Sequence, residues 1–325
     1  MPVMTIREAV SQALWEEMER DPNVLIMGEE VGMWGGTYAV TKGFYDHFGA
    51  ERVRDTPIAE GVIVGAAVGA AMNGLKPVAE IMTINFAFLA MDMIVNHAAK
   101  VRSMFGGQFK CPMVLRTTSG GGRQLGATHS QTVEHLFASF PGLKVVAPSN
   151  ARDMKGLLKA AVRTDDPVMF VENATMYSEK GDVPDDPDFL LPIGKSEVKR
   201  EGKHCTVVAY SKMVGLSLKA ADVLAKDGIE CTVIDLRWLR PLDMDSIVES
   251  FKQTNHCVTV EESWAMYGVG AEVAARLYET CFDYVDAPIK RVATKDVPLP
   301  YAGQLERYAM PSIDDVVKAV KETVG

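Results

Sequence analysis

Short apolar runs alternate with segments of helical periodicity along most of the chain. In the first half, strands are predicted at residues 24–27, 52–54, 77–82, 113–116, 144–147 and 168–172. Helical patterns such as residues 151–163 lie between them, and Thr5 followed by Glu8 is a capping box that opens the first helix. This alternation predicts a doubly wound α/β domain with a mostly parallel sheet.

A second, smaller α/β unit follows the first. Its strands are predicted at residues 205–211, 230–235, 257–260 and 289–292. Between the two halves, Pro184, Pro187 and Pro192 lie among several acidic residues, a composition that predicts a linker. The predicted division is therefore a domain at residues 1–177, a linker at residues 178–202 and a domain at residues 203–325.

The segment DTPIAEGVIVGAAVGAAMNG carries a single acid within its apolar part, Glu60. A helix that starts near Pro57 or Ile58 is expected to be buried on nearly all sides. Its glycines recur every four or five residues, near one face that another helix can approach: Gly61, Gly65, Gly69 and Gly74. Glu60 would then face a second polypeptide, and a carboxyl group removed from water there holds a proton near neutrality. The alternative is an ordinary first-turn acid that stabilises the helix dipole.

Other side chains with suitable chemistry follow the predicted strand ends, where ligands bind in parallel sheets. Glu29 and Glu30 follow the first of these strands, although a solvated pair is the alternative. Phe86 and Phe88 could stack on a planar heterocycle or form part of the core. His129 follows the glycine-rich loop TTSGGGRQLG. A lone histidine is usually structural or on the surface, but a histidine on a loop beyond a parallel strand is more often a functional residue.

Composition narrows the function classes. The chain has 325 residues, 24% of them charged and 47% hydrophobic, which is typical of a globular protein with two domains. A net charge of -9 and a pI near 5.3 argue against nucleic-acid and membrane partners. The N-terminus has no signal pattern, so the expected location is cytoplasmic. The five cysteines form no CxxC pair, which predicts buried, reduced thiols.

Two glycine-rich motifs give weaker signals. The loop GMWGGTYAVTKG lacks the glycine and lysine order of a phosphate-binding loop, so it is interpreted as a surface or interface loop. The GxG at Gly268 and Gly270 lacks the third glycine of a dinucleotide fingerprint. It predicts a tight turn between a strand and a helix.

The order of many sequence blocks resembles the β subunits of the decarboxylating component of 2-oxo acid dehydrogenase complexes. The blocks include TIREAV, GEEVG, RVRDTPIAEG, AAVGAAMNGLKPVAEIMTINF, THSQ, PGLKVVAPSN, VIDLRWLRPLD and GVGAEV, and they extend over essentially the whole chain. The resemblance implies a thiamine-diphosphate enzyme of transketolase-like architecture, an α2β2 heterotetramer with its cofactor between α and β subunits. It favours pyruvate as the small 2-oxo acid substrate and leaves branched-chain 2-oxo acids and acetoin open.

The resemblance also implies roles for individual residues. Glu60 matches the acid that hydrogen-bonds N1′ of the cofactor aminopyrimidine, which favours the tautomer that removes the thiazolium C2 proton. Phe86 matches a residue that lies against the pyrimidine, and Glu29 an acid near the cofactor. His129 matches the histidine that faces the substrate and the incoming lipoyl group.

Metal ions and partners follow from the same resemblance. A potassium ion is bound in the family mostly by backbone oxygens, at positions that match Met113, Ala161, Val162, Thr164 and Asp166. No GDG motif occurs here, so Mg2+ and the diphosphate are assigned to the α subunit, and the chain is expected to be inactive alone. The second domain is expected to join β subunits and to dock the dihydrolipoyl acyltransferase core, which presents its lipoyl domain. The alternatives are a non-catalytic docking subunit and, less well supported, a single-chain transketolase or deoxyxylulose-phosphate synthase.

Overall fold

The computed structural model describes the whole chain, Met1–Gly325, which divides into two units. Unit 1 consists of Met1–Ser119 and Leu136–Ile193. Unit 2 consists of Gly120–His135 and Gly194–Gly325. The domain boundaries given above stay a prediction.

Unit 1 is built on a parallel sheet. Its strands are β1 (Val3–Thr5), β2 (Val24–Gly28), β3 (Val53–Asp55), β4 (Lys76–Ile81), β5 (Val114–Ser119), β6 (Lys144–Val146), β7 (Val168–Asn173) and β8 (Lys180–Asp182). Strands β6-β7-β5-β4-β2-β3 lie side by side in that order, all parallel, while β1 pairs antiparallel with β8. Every residue of β2, β5 and β7 is buried, as expected for central parallel strands covered by helices. The predicted doubly wound sheet is confirmed.

The helices of the first half include one that was not predicted, at Phe44–Phe48, and they differ from the prediction again after β4. They are α1 (Ile6–Arg20), α2 (Phe44–Phe48), α3 (Glu60–Met72), α4 (Val101–Met104), α5 (Glu134–Ala138) and α6 (Ala151–Arg163). The helical pattern of residues 91–104 predicts one continuous helix there, and that prediction is wrong. A 3-10 helix at Ile84–Ala90 and a π-helix at Met93–Ala98 precede the short α4, because this stretch packs along α3.

Helix α3 is buried on one side only. Its buried residues are Glu60, Ile63, Val64, Ala67, Val68 and Ala71. On the opposite face Val62 is 67% exposed, and Ile58, just before the helix, is 81% exposed. The expectation of burial on nearly all sides is therefore wrong for this chain taken by itself. An apolar stripe remains at the surface of the subunit.

Two of the three glycines of α3 allow the close approach that was predicted. A Cβ atom on Gly61 would lie 3.3 Å from the carbonyl oxygen of Leu89, and one on Gly65 would lie 3.2 Å from Sδ of Met93. Both neighbours belong to the irregular helical stretch described above. Gly69 faces no atom within 4 Å, so close packing does not explain that glycine.

The capping box at the start of α1 is confirmed. The amide of Glu8 donates to Oγ1 of Thr5 at 3.2 Å, and the amide of Thr5 donates to Oε2 of Glu8 at 2.7 Å. We expect Thr5→Ala to lower the free energy of unfolding by about 1 kcal/mol, because the amide of Glu8 loses Oγ1 of Thr5 as its acceptor. Urea denaturation of the full chain measures this change. Ser178→Ala, at an exposed position outside any cap, is the control, and equal stability of both variants would contradict the prediction.

Unit 2 is the smaller α/β unit that was predicted. Its strands are β9 (Glu197–Arg200), β10 (Cys205–Ala209), β11 (Cys231–Asp235), β12 (Trp238–Arg240), β13 (Cys257–Trp264) and β14 (Lys290–Thr294). Its helices are α7 (Lys212–Lys226), α8 (Met244–Thr254), α9 (Val269–Cys281), α10 (Gly303–Ala309) and α11 (Ile313–Val324). The sheet order is β14-β13-β10-β11-β9, parallel except for the antiparallel edge strand β9. Valine, alanine and cysteine side chains of the central strands form its core.

The GxG between β13 and α9 is a tight turn, as predicted, and it holds a buried carboxylate. Oε2 of Glu261 accepts from the amide of Val269 at 2.9 Å, and its Oε1 accepts from the amide of Gly270 at 3.0 Å. A Cβ atom on Gly268 would lie 2.5 Å from Oε1 of Glu261, so a larger residue would displace the carboxylate. The glycines therefore make room for a side chain of the same domain.

The five cysteines are all buried, also as predicted. None of the helices is long and apolar enough to cross a bilayer.

Glu261 predicts a pH dependence of stability. Burial raises the pKa of Glu261 to about 7, although the amides of Gly270 and Val269 favour its charged form. The folded chain thus holds a proton that the unfolded chain releases, so this stabilisation is complete below about pH 4.5 and is lost as the pH rises through about 7. We expect Glu261→Gln to reduce the slope of unfolding free energy against pH in this window by roughly 1 kcal/mol per unit.

The measurement is urea denaturation of the full chain at a series of pH values from about 5 to 8. Glu272→Gln is the matched control, because Glu272 is an exposed acid in the first turn of α9, the helix whose amides donate to Glu261. If Glu261→Gln keeps the wild-type slope of unfolding free energy against pH, the Glu261 carboxyl does not titrate between about pH 5 and 8.

Candidate active site

The carboxyl end of β2 and the start of α3 bring two acids close together. Glu29 directly follows β2; it is only 7% exposed, and its Oε1 has no hydrogen-bond partner. Burial raises the pKa of Glu29, and the nearby carboxylates of Glu60 and Glu80 raise it further. Glu29 is therefore not part of a solvated pair, and it keeps a proton to higher pH than an exposed glutamate.

Glu60 is the first residue of α3 and is 4% exposed. Its carboxyl group forms no hydrogen bond or ion pair within the chain. A buried carboxyl group without a partner is costly, so such groups are normally satisfied by a ligand, an ion or another protein group. The position is thus suited to a hydrogen bond with a molecule that the chain does not itself supply.

Phe86 lies in the 3-10 helix that follows β4 and is half-buried. Phe88 is 39% exposed. The turn that leads into this helix is fixed by Asn85, whose Nδ2 donates to Oγ1 of Thr83 at 2.7 Å. Neither phenylalanine is an ordinary core residue, so both rings have a surface on which a planar group can stack.

A charged network that was not predicted from the sequence lies in the sheet beside these acids. Arg116 on β5 forms salt bridges with Glu80 on β4 and with Glu172 on β7, the latter at 2.5 Å. Tyr177 donates its hydroxyl to Oε2 of Glu172 at 2.7 Å. Burial opposes the charge of Arg116, but the two carboxylates outweigh it and raise its pKa. The sequence did carry a signal for this network, because charged residues stand within strands that are otherwise apolar.

His129 belongs to unit 2, whereas Glu29, Glu60 and Phe86 belong to unit 1. The imidazole is exposed, and its Nδ1 lies 2.9 Å from Oγ1 of Thr128. It lines an open cavity of about 520 Å3, together with Arg123, Gln124, Leu125 and Tyr301. Arg123 belongs to the glycine-rich loop TTSGGGRQLG, whereas nothing in the local sequence pattern related Tyr301 to this loop.

The residues that match the family's potassium site lie around the end of α6. Ala161 and Val162 are in its last turn, Thr164 is its C-cap, and Met113 directly precedes β5. The last carbonyl groups of a helix have no partner within the helix and carry partial negative charge. The backbone oxygens of Ala161 and Val162 therefore fit a cation that prefers oxygen ligands, whereas that of Met113 already accepts from the amide of Val168 at 3.0 Å.

Asp166, the fifth of these residues, uses its side chain in another way. The carboxylate forms salt bridges with Arg102 and Lys144. Burial opposes its charge, but hydrogen bonds from Lys144 and Arg102 prevail and lower the pKa of Asp166. Only its backbone oxygen is then suited to a further cation.

Comparison with known proteins places the chain in a family. Residues 3–179 match the family "Transketolase, pyrimidine binding domain" and residues 194–316 match "Transketolase, C-terminal domain". Pyruvate dehydrogenase E1 component subunit beta-2, mitochondrial, of Oryza sativa subsp. japonica is 51% identical over 321 residues, 98% of this chain and 85% of that protein. The E1 component subunit beta of Rickettsia felis is 50% identical over 319 residues, 98% of each chain. The chain belongs to the pyruvate dehydrogenase E1 β-subunit family.

A solved structure agrees with this assignment. The split gene transketolase described as an inactive beta4 tetramer matches with a TM-score of 0.79 at 27% identity, covering 99% of this chain and 98% of that one. The fold class and the resemblance inferred from the sequence are both confirmed. Membership of the E1 β family also implies the use of thiamine diphosphate.

The residues of unit 1 fit an aminopyrimidine. Glu60 presents a buried carboxyl group with no partner in the chain, and Glu29 presents a buried oxygen that accepts no hydrogen bond. A ring nitrogen and an exocyclic amine are groups that two carboxyls can bind. The half-buried ring of Phe86 adds an apolar surface beside them.

Proposed function

We propose that the chain is the β subunit of a pyruvate dehydrogenase that is active only with an α subunit, in an α2β2 heterotetramer. The reaction is the oxidative decarboxylation of pyruvate, with transfer of the acyl group to the lipoyl group of a dihydrolipoyl acyltransferase. The strongest single support is Glu60, a buried and unpaired carboxyl at the start of an apolar helix, in a chain 50% identical to E1 β subunits.

The chemistry divides between the cofactor and this chain. Thiamine diphosphate, when bound, supplies the carbon nucleophile and accepts the electron pair that CO2 leaves behind. Glu60 would bind N1′ of the aminopyrimidine, to which it would give a proton and from which it would take it back. Glu29, which keeps its own proton to higher pH, limits charge repulsion whenever Glu60 is ionised. Phe86 would offer the pyrimidine an apolar ring surface.

His129 serves the second half of the reaction. An imidazole can give a proton to the dithiolane sulfur or hold the lipoyl group in position near neutral pH. The exposure of His129 beside an open cavity suits contact with a group that arrives from another protein. Residues 203–325 are assigned to contacts between β subunits and to docking of the acyltransferase core, and residues 1–177 to pyrimidine binding.

Metal binding is assigned from the same family relation. The α subunit holds Mg2+ and the diphosphate, because this chain has no GDG motif. A potassium ion at the end of α6 would be bound through backbone oxygens of Met113, Ala161, Val162, Thr164 and Asp166. Its role would be to order the helix end beside β5.

Reconstitution tests the proposal. The chain is co-expressed with its α subunit, and CO2 release is measured with pyruvate, with branched-chain 2-oxo acids and in an acetoin-cleavage assay. We expect turnover with pyruvate to be the highest and neither chain alone to be active. Preference for another substrate would change the substrate assignment. An assembled tetramer that uses none of them would favour the non-catalytic docking role.

A further inference from the structure

The loop that carries His129 is tied at both ends to neighbouring residues of one strand. The amide of Gly121 donates to Oε1 of Glu262 at 2.8 Å. At the far end, Nδ1 of His135 lies 2.8 Å from Oγ of Ser263. Glu262 and Ser263 are adjacent on β13, so the two ends of the segment Gly120–His135 are held close together. His129 lies between these two anchors in sequence.

A third anchor holds the first half of this loop. Oε1 of Glu306, on α10, accepts from the amide of Gly122 at 2.9 Å, and its Oε2 accepts from the amide of Gln124 at 3.1 Å. Glu306 is 2% exposed and Glu262 is 5% exposed. Buried carboxylates that accept from backbone amides make strong, directional hydrogen bonds. The two acids therefore fix the backbone on the N-terminal side of His129.

The loop has no regular secondary structure that would fix its backbone conformation. No helix or strand lies between β5 and α5, and four residues have backbone angles in the left-handed region: Gly120, Gly122, Gln124 and Gly126. Such a chain has many alternative conformations, so its order must come from external contacts. Gly121 packs closely as well, since a Cβ atom there would lie 2.7 Å from Cδ1 of Leu299.

We propose that Glu306, with Glu262, is a positioning residue that aligns His129 for acyl transfer to the lipoyl group. This inference rests on the proposed function, in which His129 acts in that half of the reaction. Neither acid lines the cavity beside His129. Each acts through the loop, and misplacing a catalytic group by about 1 Å can lower a rate about 100-fold.

Glu306→Gln is the decisive variant. Glutamine has the same size, but its NH2 group would face an amide that needs an acceptor, so at least one anchor is lost. Two assays are run on the α2β2 protein: acylation of the lipoylated acyltransferase, and pyruvate decarboxylation with an artificial electron acceptor. We expect kcat for lipoyl acylation to fall about 30-fold, while the second rate changes less than about threefold.

A double variant separates positioning from general damage. If Glu306 acts through His129, adding Glu306→Gln to His129→Ala should lower acylation by less than about threefold more. If the double variant loses acylation by the product of the two single-variant factors, the inference is overturned. Wild-type acylation in Glu306→Gln would overturn it as well, as would equal losses in both assays.

Asp243→Asn is the matched control. Asp243 is 5% exposed, lies in unit 2 and accepts from the amide of Ser196 at 3.0 Å, yet it has no contact with the loop. It should show no selective loss of acylation. Should Glu306→Gln fail to assemble, Ser263→Ala tests the anchor at the other end, where we expect a selective loss of about tenfold; wild-type acylation there would contradict the inference.

The wild-type protein distinguishes this inference from the proposed function. If the wild-type tetramer releases no CO2 from any 2-oxo acid, the proposed function fails. If the wild type and His129→Ala behave as proposed but Glu306→Gln resembles wild type, only the positioning role fails.

Discussion

Replacing Glu60 with glutamine is expected to lower CO2 release from pyruvate at least about 1000-fold in the reconstituted tetramer. Glutamine fills the same buried space at the start of α3 and can still form a hydrogen bond, but it cannot exchange a proton with the cofactor. Assembly with the α subunit should therefore be preserved, as judged by size-exclusion chromatography. Turnover is measured with saturating thiamine diphosphate and Mg2+.

Glu30→Gln is the control for Glu60→Gln. It removes the same charge from the same end of the sheet, but Glu30 is exposed where Glu60 is buried. We expect its turnover to stay within about twofold of wild type. Near-normal turnover of Glu60→Gln would rule out the proton role of this carboxyl.

The second large effect is expected for His129→Ala. Acyl transfer to the lipoyl group should fall about 100-fold, because the group that gives a proton to the sulfur or positions it is removed. Affinity for thiamine diphosphate and the rate with an artificial electron acceptor should change less than about threefold, since the residues assigned to cofactor binding lie in unit 1. The two rates and the cofactor affinity are measured on the same preparations.

His97→Ala is a suitable control, because His97 is an exposed histidine paired with Asp92 in unit 1. It should leave both rates unchanged. Equal losses of acyl transfer and of cofactor affinity in His129→Ala would contradict the role assigned to His129.

Local patterns predicted the elements of this fold well. The range of α6, residues 151–163, and the capping box of Thr5 follow directly from periodicity and cap chemistry. The position of Glu60 at a helix start was also readable, because a single acid preceded an apolar run. In each case the deciding interactions lie within a few residues in sequence.

The irregular stretch after β4 could not be predicted in the same way. Its sequence has helical periodicity, yet a π-helix at Met93–Ala98 interrupts it, against the face of α3 that carries Gly65. Packing against another helix, more than local propensity, shapes this stretch.

The burial of charged side chains also depends on contacts between distant parts of the chain. Lys155 and Lys159 have the spacing of an exposed helix face, but they are buried and donate to the carbonyl oxygens of Pro184 and Pro187.

The site shows the same division between local and long-range information. The sequence indicated His129 through its glycine-rich loop, but not the acids that hold the loop. Glu306 follows Gln124 by 182 residues, and it lies on α10, a helix that was not predicted from the sequence. Such contacts exist only once the domain has folded, so no local pattern records them.

The central claim is that Glu60 moves a proton at the cofactor ring, and the exchange of the C2 proton of bound thiamine diphosphate tests it most directly. The tetramer is diluted into D2O, quenched in acid after set times, and the remaining C2 protons are measured by NMR. We expect Glu60→Gln to exchange at least about 100-fold more slowly than wild type with the cofactor fully bound. Exchange as fast as in wild type would contradict the claim.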